Sequence, residues 1–386
     1  MRRIGLILAI VLTTLVAAVA CARPEPPAPV PVAPPEKPAV VAYEPGTGAS
    51  EVNPTASISV RVADGTVADV ALRDADDEAV DGALSPDRTR WTASEPLAYG
   101  QTYTWSGSAV GADGATVALQ GGFSTLQPDR QLRGSLNIGD GRTVGVAAPI
   151  TIQFDGHVEN RAAVERALWV QTAVPVEGAW AWLPDQDGGS RVHYRPKEYW
   201  PANTGVTVTA KLYGVDYGGG AYGRADVSSS FTVGRAQIVK ADVNSHELVV
   251  LRDGAEVARY PASYGLASDP ERNTRSGIHV VTEKFSDKRM TSDRYGYDVD
   301  VQWAVRMNNN GEFIHAMPGT VGQQGSRNVT HGCVNLSSAN AKAYYDTVLY
   351  GDPVEVSGSS VPLSAQDGDI WDWTVPWEQW RELSAL

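Results

Sequence analysis

The stretch SRNVTHGCVNLS, residues 326–337, holds one of the two cysteines in this chain and places it two residues after a histidine. A cysteine that acts as a nucleophile needs its thiolate, and a free thiol with a pKa of ~8.5 is mostly protonated at neutral pH. It therefore needs a base. His331 is close in sequence, but residues i and i+2 of an extended segment point the same way without securing hydrogen-bond geometry. A histidine held across a sheet serves better, and His315, in GEFIHAMPG (residues 311–319), precedes Thr330 by fourteen intervening residues. Residues 312–315 read as a strand that breaks at Pro318. Two other readings of the thiol stand beside this one. A lone buried cysteine is usually a small core residue. A zinc site from Cys333, His331, His315 and His279 is conceivable, although structural zinc usually takes several cysteines and catalytic zinc rarely uses this spacing.

Outward from the motif, residues 235–357 form one unit. AQIVKADVNSHELVVLRDGAEVARYPASYG (residues 236–265) reads as strand, turn, strand, an Asp253-Gly254 hairpin turn and a further strand. SSANAKAYYDTVLY (residues 337–350) is the clearest helix candidate. Ser337 or Ser338 caps it, Ala341, Tyr344, Tyr345, Val348 and Leu349 supply an apolar face, and Gly351 stops it. DPVEV then returns as a strand. Beyond residue 358 the tail carries Trp371, Trp373, Trp377 and Trp380. Carbohydrate stacking is one reading, but Trp373, Trp377 and Trp380 fall near i, i+4, i+7, so an aromatic face packed on the preceding unit is the expectation.

Upstream, residues 45–233 contain a degenerate repeat. Each copy has an aromatic residue, a proline turn, an alternating strand (Tyr103 and Trp105 in one, Val206 and Val208 in the other), a Gly-rich hairpin, and a closing strand at Phe123 or Phe231. Two β-sandwich modules, 45–127 and 128–234, are expected. His157 and His193 stand alone in them and are expected to be structural or merely exposed. With 38 Gly and 24 Pro punctuating short Val-, Thr-, Tyr- and Trp-rich segments, the fold class is mainly β.

The amino terminus has a different character. Arg2 and Arg3 precede an apolar or small run that ends Ala18-Val19-Ala20-Cys21. Residues 1–21 read as an export signal, resembling a bacterial lipobox in which Cys21 is lipidated; an uncleaved membrane helix is the alternative. Two or more acyl chains at one cysteine anchor stably where one is marginal. Residues 22–44 begin with eight prolines in twenty residues and read as a polyproline linker, rising ~3.1 Å per residue. If Cys21 is acylated, Cys333 is the only thiol left, so no intramolecular disulfide forms. A net charge of -13 without a basic stripe argues against nucleic-acid binding.

Thr330 to Asn335, with His315 upstream across fourteen intervening residues, resembles the L,D-transpeptidase family, which carries a histidine, a spacer, then Ser or Thr, His, Gly, Cys, an apolar residue and Asn. TRSGIHVVTEK (residues 274–284) is similar to the family's Thr-Pro-x-Gly strand, with Arg275 replacing the usual proline. The resemblance covers roughly residues 236–356, and the modules, lipobox and tail look like the multidomain actinobacterial members, whose modules are immunoglobulin-like. It implies Cys333 as nucleophile and His315 as general base, oriented by the carbonyl of Ala316. His331, Gly332 and Asn335 become site-shaping, with the N–H groups of residues 331–333 available to an oxyanion and Gly332 permitting close backbone approach. Residues 286–298 become a lid, Tyr297 (or the nearby Tyr295) faces the acyl group, and Thr330 and Met317 contact substrate. The implied reaction joins peptidoglycan stem peptides 3→3 through a thioester, with release of D-Ala and covalent inactivation by carbapenems. The implied site needs no cofactor or metal, and the implied place is the cell membrane, lipid-anchored and facing the cell-wall space. A carboxypeptidase, a protein-to-wall attachment enzyme, and a catalytically silent wall-binding lipoprotein remain as alternatives.

Overall fold

A computed structural model describes residues 37–368 and 370–386, so Cys21 and the export signal lie outside the described residues. The chain is mainly β and contains the expected sandwiches. In the first, strands Val40–Glu44, Ser59–Ala63, Arg90–Ala93 and Gly82–Leu84 form one sheet in that order. The facing sheet runs Gly65–Arg73, Thr102–Gly111, Thr116–Ala118, with Gly121–Ser124 also paired to Thr102–Gly111. Alternation along Thr102–Gly111 turns Tyr103 and Trp105 inward, and Trp105 meets Trp91 edge-on at 5.4 Å between ring centroids. One expected boundary moves. Val40–Glu44 was assigned to the linker, but it pairs in register with Ser59–Ala63 and is the first strand of the module. The proline density of the preceding residues hid a short strand of period two.

The second module sets Gly134–Leu136, Ile150–Phe154, Gly189–Pro196 and Gly178–Gln186 against Thr143–Val144, Val227–Val233, Thr204–Ala210 and Leu168–Thr172. The repeat is real at the level of topology. Arg90–Ala93, Thr102–Gly111 and Gly121–Ser124 correspond to Gly189–Pro196, Thr204–Ala210 and Val227–Val233, the last two pairing antiparallel in both copies. The two cores are separate. Between them, the Tyr99 hydroxyl donates to Gly223 O and accepts from Gly214 N, both at 2.8 Å, while Asn53 Nδ2 donates to Gly214 O at 2.7 Å.

The third unit has two sheets around one core. Ala255–Pro261, Glu247–Arg252, Gln237–Asp242, Pro353–Ser357 and Gly277–Val280 form the first. Asp253 and Gly254 take positive φ in the expected tight turn. The second sheet orders Glu283–Ser292, Tyr297–Arg306, Phe313–Ala316 and Val334–Leu336. Helix Ser338–Thr347 is capped by the Ser337 side chain, which accepts from Asn340 N, and it buries Ala341 and Tyr344 against that sheet.

The tail packs on two neighbours: Pro362 bridges to Ser276 and Asp367 pairs with Arg275 on the catalytic unit, as expected, while its last helix docks elsewhere. Helix Trp377–Glu382 docks chiefly on the second sandwich, not on the catalytic unit. Trp380 is fully buried beside Ala181 and Leu183 and donates to Ala179 O at 3.0 Å. Arg195 lies over the rings of Trp373, Trp377 and Trp380. The tryptophan spacing was read as an aromatic face correctly, but a face has no address, and the complementary surface happens to be Gly178–Gln186. The isolated histidines are structural in part: His193, almost fully buried, pairs with the tail's Asp372 at 2.8 Å, and His157 pairs with Asp185 at the surface.

Candidate active site

The parallel pairing of Phe313–Ala316 with Val334–Leu336 puts His315 opposite Asn335. Side chains of a strand alternate faces, so Asn335 and the residue two before it, Cys333, share the face on which His315 lies. Sheet register therefore brings Cys333 and His315 to one face although they are far apart in sequence. Both line a cavity of about 240 Å³ together with Met317, Thr330, His331 and Asn335. Met290, Tyr297 and Val299, from the hairpin that joins Glu283–Ser292 to Tyr297–Arg306, close its other side. The expected lid is this hairpin.

His315 is almost fully buried, and its Nδ1 donates to Ala316 O at 3.0 Å. That bond fixes the tautomer and leaves Nε2 as the acceptor. Burial holds the imidazole below its ordinary pKa, against the opposing pull of the Ala316 carbonyl. The Cys333 thiol is pushed up to about 12, by burial first, then by the Glu312 carboxylate, with the Phe313 backbone bond working the other way. Both shifts favour the neutral thiol and the neutral imidazole. The thiol donates to Gly311 O at 3.6 Å.

The loop before Cys333 is tightly specified. Thr330 Oγ1 donates to Cys333 O at 2.6 Å and accepts from Gly332 N at 3.2 Å. Thr274 Oγ1 donates to Gly332 O at 2.8 Å. Arg272 donates to the carbonyls of Thr330 and Val329 at 3.1 and 2.8 Å. Gly332 adopts φ +116°, a region L side chains rarely enter, so glycine is required there. Because the Gly332 N–H is already given to Thr330, the N–H groups left for an oxyanion are those of His331 and Cys333, which narrows the expected set. Asn335 is held at both ends, its side chain donating to Thr320 Oγ1 at 3.2 Å and its main chain pairing with Ser263.

Tyr297 and Tyr295 both pack on His331, at 5.3 and 4.5 Å between ring centroids. Only Tyr297 of the two is among the cavity-lining residues, and its phenol is raised by burial and by Cys333. Burial and Arg272 lower the exposed-edge imidazole of His331. His279 does not join Cys333: Nε2 donates to Arg275 O at 2.8 Å and Nδ1 accepts from Asn308 at 3.2 Å, so both ring nitrogens are committed elsewhere. Sequence reasoning missed Met290, Val299, Thr320 and Val329 in the wall, and it missed Glu312, whose signal would have been a carboxylate in an otherwise apolar strand.

Comparison with known proteins agrees with this geometry. Residues 236–356 match the L,D-transpeptidase catalytic domain and residues 49–216 match the bacterial Ig domain, the latter match running across both sandwiches. The fold and site are those of a transpeptidase enzyme. The chain belongs to the L,D-transpeptidase family. It is 53% identical over 345 residues to L,D-transpeptidase 5 of Mycobacterium tuberculosis, covering 89% of this chain and 76% of that one. It is 38% identical over 347 residues to L,D-transpeptidase 2 of the same species, covering 88% and 83%. Among solved structures, the L,D-transpeptidase LdtMt1 in complex with imipenem aligns with a TM-score of 0.50 at 32% identity, over 60% of this chain and 100% of that one.

Proposed function

We propose that this enzyme forms 3→3 crosslinks in peptidoglycan through a thioester on Cys333. One arrangement carries the reading: His315 spends Nδ1–H on Ala316 O and presents an unprotonated Nε2 in the cavity that Cys333 lines. Cys333 turns from Gly311 O toward Nε2 and attacks the carbonyl of meso-diaminopimelate at position three of a tetrapeptide stem, its proton passing to His315. The N–H groups of His331 and Cys333 receive the oxyanion. Collapse expels D-Ala, whose amine takes the proton from His315. The side-chain amine of a neighbouring stem's diaminopimelate then attacks the thioester, and its proton returns through His315 to the Cys333 sulfur. Two displacements through one acyl-enzyme give ping-pong kinetics.

Imipenem bound to LdtMt1 supports carbapenems as covalent inhibitors of Cys333 here as well. We place the enzyme at the cell membrane, anchored by lipid on Cys21 and facing the cell-wall space, with residues 22–39 and the two sandwiches as a spacer. The test is incubation of the full chain with disaccharide-tetrapeptides, read by mass spectrometry. A crosslinked dimer lacking one D-Ala, absent with Cys333→Ala, is expected. Tripeptide monomers alone would replace the proposal with a carboxypeptidase, and no product at all with a silent scaffold. Palmitate labelling lost in Cys21→Ala is expected for the anchor; a label that persists would remove it.

A further inference from the structure

Position 275 departs from the family's strand pattern, and the structure gives the arginine there several partners. Its backbone N–H and its Nη1 each donate to Glu312 Oε1 at 3.2 Å, and its Nε pairs with Asp367 of the C-terminal segment. A proline could offer neither the N–H nor the charge. Glu312 is 3% exposed, and its second oxygen accepts from Asn308 Nδ2. The orientation of that amide is fixed because Asn308 Oδ1 accepts from the N–H groups of Asn310 and Glu312. His279 gives Nε2–H to Arg275 O and accepts from Asn308 at Nδ1, with that Nδ1 3.9 Å from Glu312 Oε2, whereas Arg275 hydrogen-bonds to Glu312 Oε1 directly. Arg275 is thus the cation that faces Glu312.

The carboxylate stands against Gly332, the residue before the nucleophile. A Cβ on Gly332 would lie 3.4 Å from both Cγ and Oε1 of Glu312. The Cys333 thiol hydrogen-bonds to Gly311 O, one residue from Glu312. The other titratable groups facing Cys333 are His315, His331 and Tyr297, all across the cavity. Any negative charge that develops on Cys333 forms against Glu312.

We propose that Arg275 is a positioning residue for the reaction: it holds the Glu312 carboxylate neutralised behind the Gly332–Cys333 peptide, so that charge developing on the nucleophile is not opposed. Its bond to Asp367 ties this wall to the C-terminal segment. The inference rests on Cys333 being the nucleophile of the proposed function, and it concerns how that thiol ionises rather than which product forms. Burial raises the Glu312 carboxyl above the ordinary range, with Arg275 and His279 opposing that rise, which agrees with a carboxylate dependent on its partners.

The test is alkylation of Cys333 by iodoacetamide in the full chain, followed by intact mass from neutral to strongly alkaline pH, for Arg275→Met, Glu312→Gln and the double variant. Arg275→Met is expected to slow alkylation at neutral pH about tenfold to a hundredfold, and to move the midpoint of the pH profile upward. Glu312→Gln is expected to move the midpoint downward. The double variant is expected to return near wild type, because without the Glu312 carboxylate the guanidinium no longer offsets a charge beside Cys333. An unmoved midpoint in both single variants would overturn the proposal, as would a double variant no better than Arg275→Met. If Arg275→Met fails to fold, Glu312→Gln and the double variant still decide, since a merely structural pair predicts no downward shift in the first and no wild-type profile in the second. Shifted midpoints without any crosslinked product would sink the proposed function and leave this inference standing; product with unmoved midpoints would do the reverse.

Discussion

Replacing His315 with alanine should expose how the nucleophile is activated. Burial pushes the Cys333 thiol up, which disfavours a pre-formed thiolate at pH 7. Proton transfer to His315 Nε2 must then accompany attack, and a positioned general base contributes about 10²–10⁴-fold. His315→Ala should therefore lower the second-order rate of imipenem acylation by about 10²–10⁴-fold at pH 7, while the same variant recovers rate as pH rises and hydroxide substitutes for the base. The sign for the wild type follows from the direction of the histidine shift. Burial lowers the His315 pKa, so the acid limb of the profile should fall below the ordinary histidine range of ~6.5. No alkaline limb is expected until the thiol itself ionises. The assay is stopped-flow absorbance of the carbapenem ring opening on the full chain, with adduct stoichiometry by intact mass. A His315→Ala variant that acylates as fast as wild type at pH 7, or a wild-type acid limb at or above the ordinary histidine range, would refute the neutral-pair reasoning.

Three further outcomes are expected. Gly332→Ala forces an L side chain to φ +116° and brings a methyl within 3.4 Å of Glu312, a strain of about 1–2 kcal/mol; urea unfolding should register it, and the acylation rate should drop by more than stability alone accounts for. Trp380→Ala removes a fully buried indole from the tail's dock on the second sandwich, costing about 3–5 kcal/mol, and should make residues 370–386 cleavable in limited proteolysis while the catalytic unit stays intact. Tyr99→Phe deletes the hydroxyl that joins Gly223 O and Gly214 N across the two sandwiches, worth about 1 kcal/mol per bond, and small-angle scattering should then show a broader distribution of inter-module distances with acylation of Cys333 unchanged.

The β class, the repeat and the helix at Ser338–Thr347 were legible in the sequence, because each is written in a local pattern. Alternation marks strands, a serine cap with apolar spacing marks the helix, and a six-residue motif with an upstream histidine marks the site. The short strand Val40–Glu44 was lost for a local reason too, since the prolines before it outweighed five alternating residues. What the tertiary structure alone decided is of another kind. Tyr297, paired with Ser292 at the start of its strand, lines the cavity, whereas Tyr295, in the turn before it, packs on His331 near Arg272 and Arg294. The helix Trp377–Glu382 chose the second sandwich, and Arg275 found Glu312 and Asp367, through contacts between segments that have no common periodicity. Local sequence sets which faces are apolar or charged; which face meets which depends on how whole sheets pack, and no spacing along the chain encodes that.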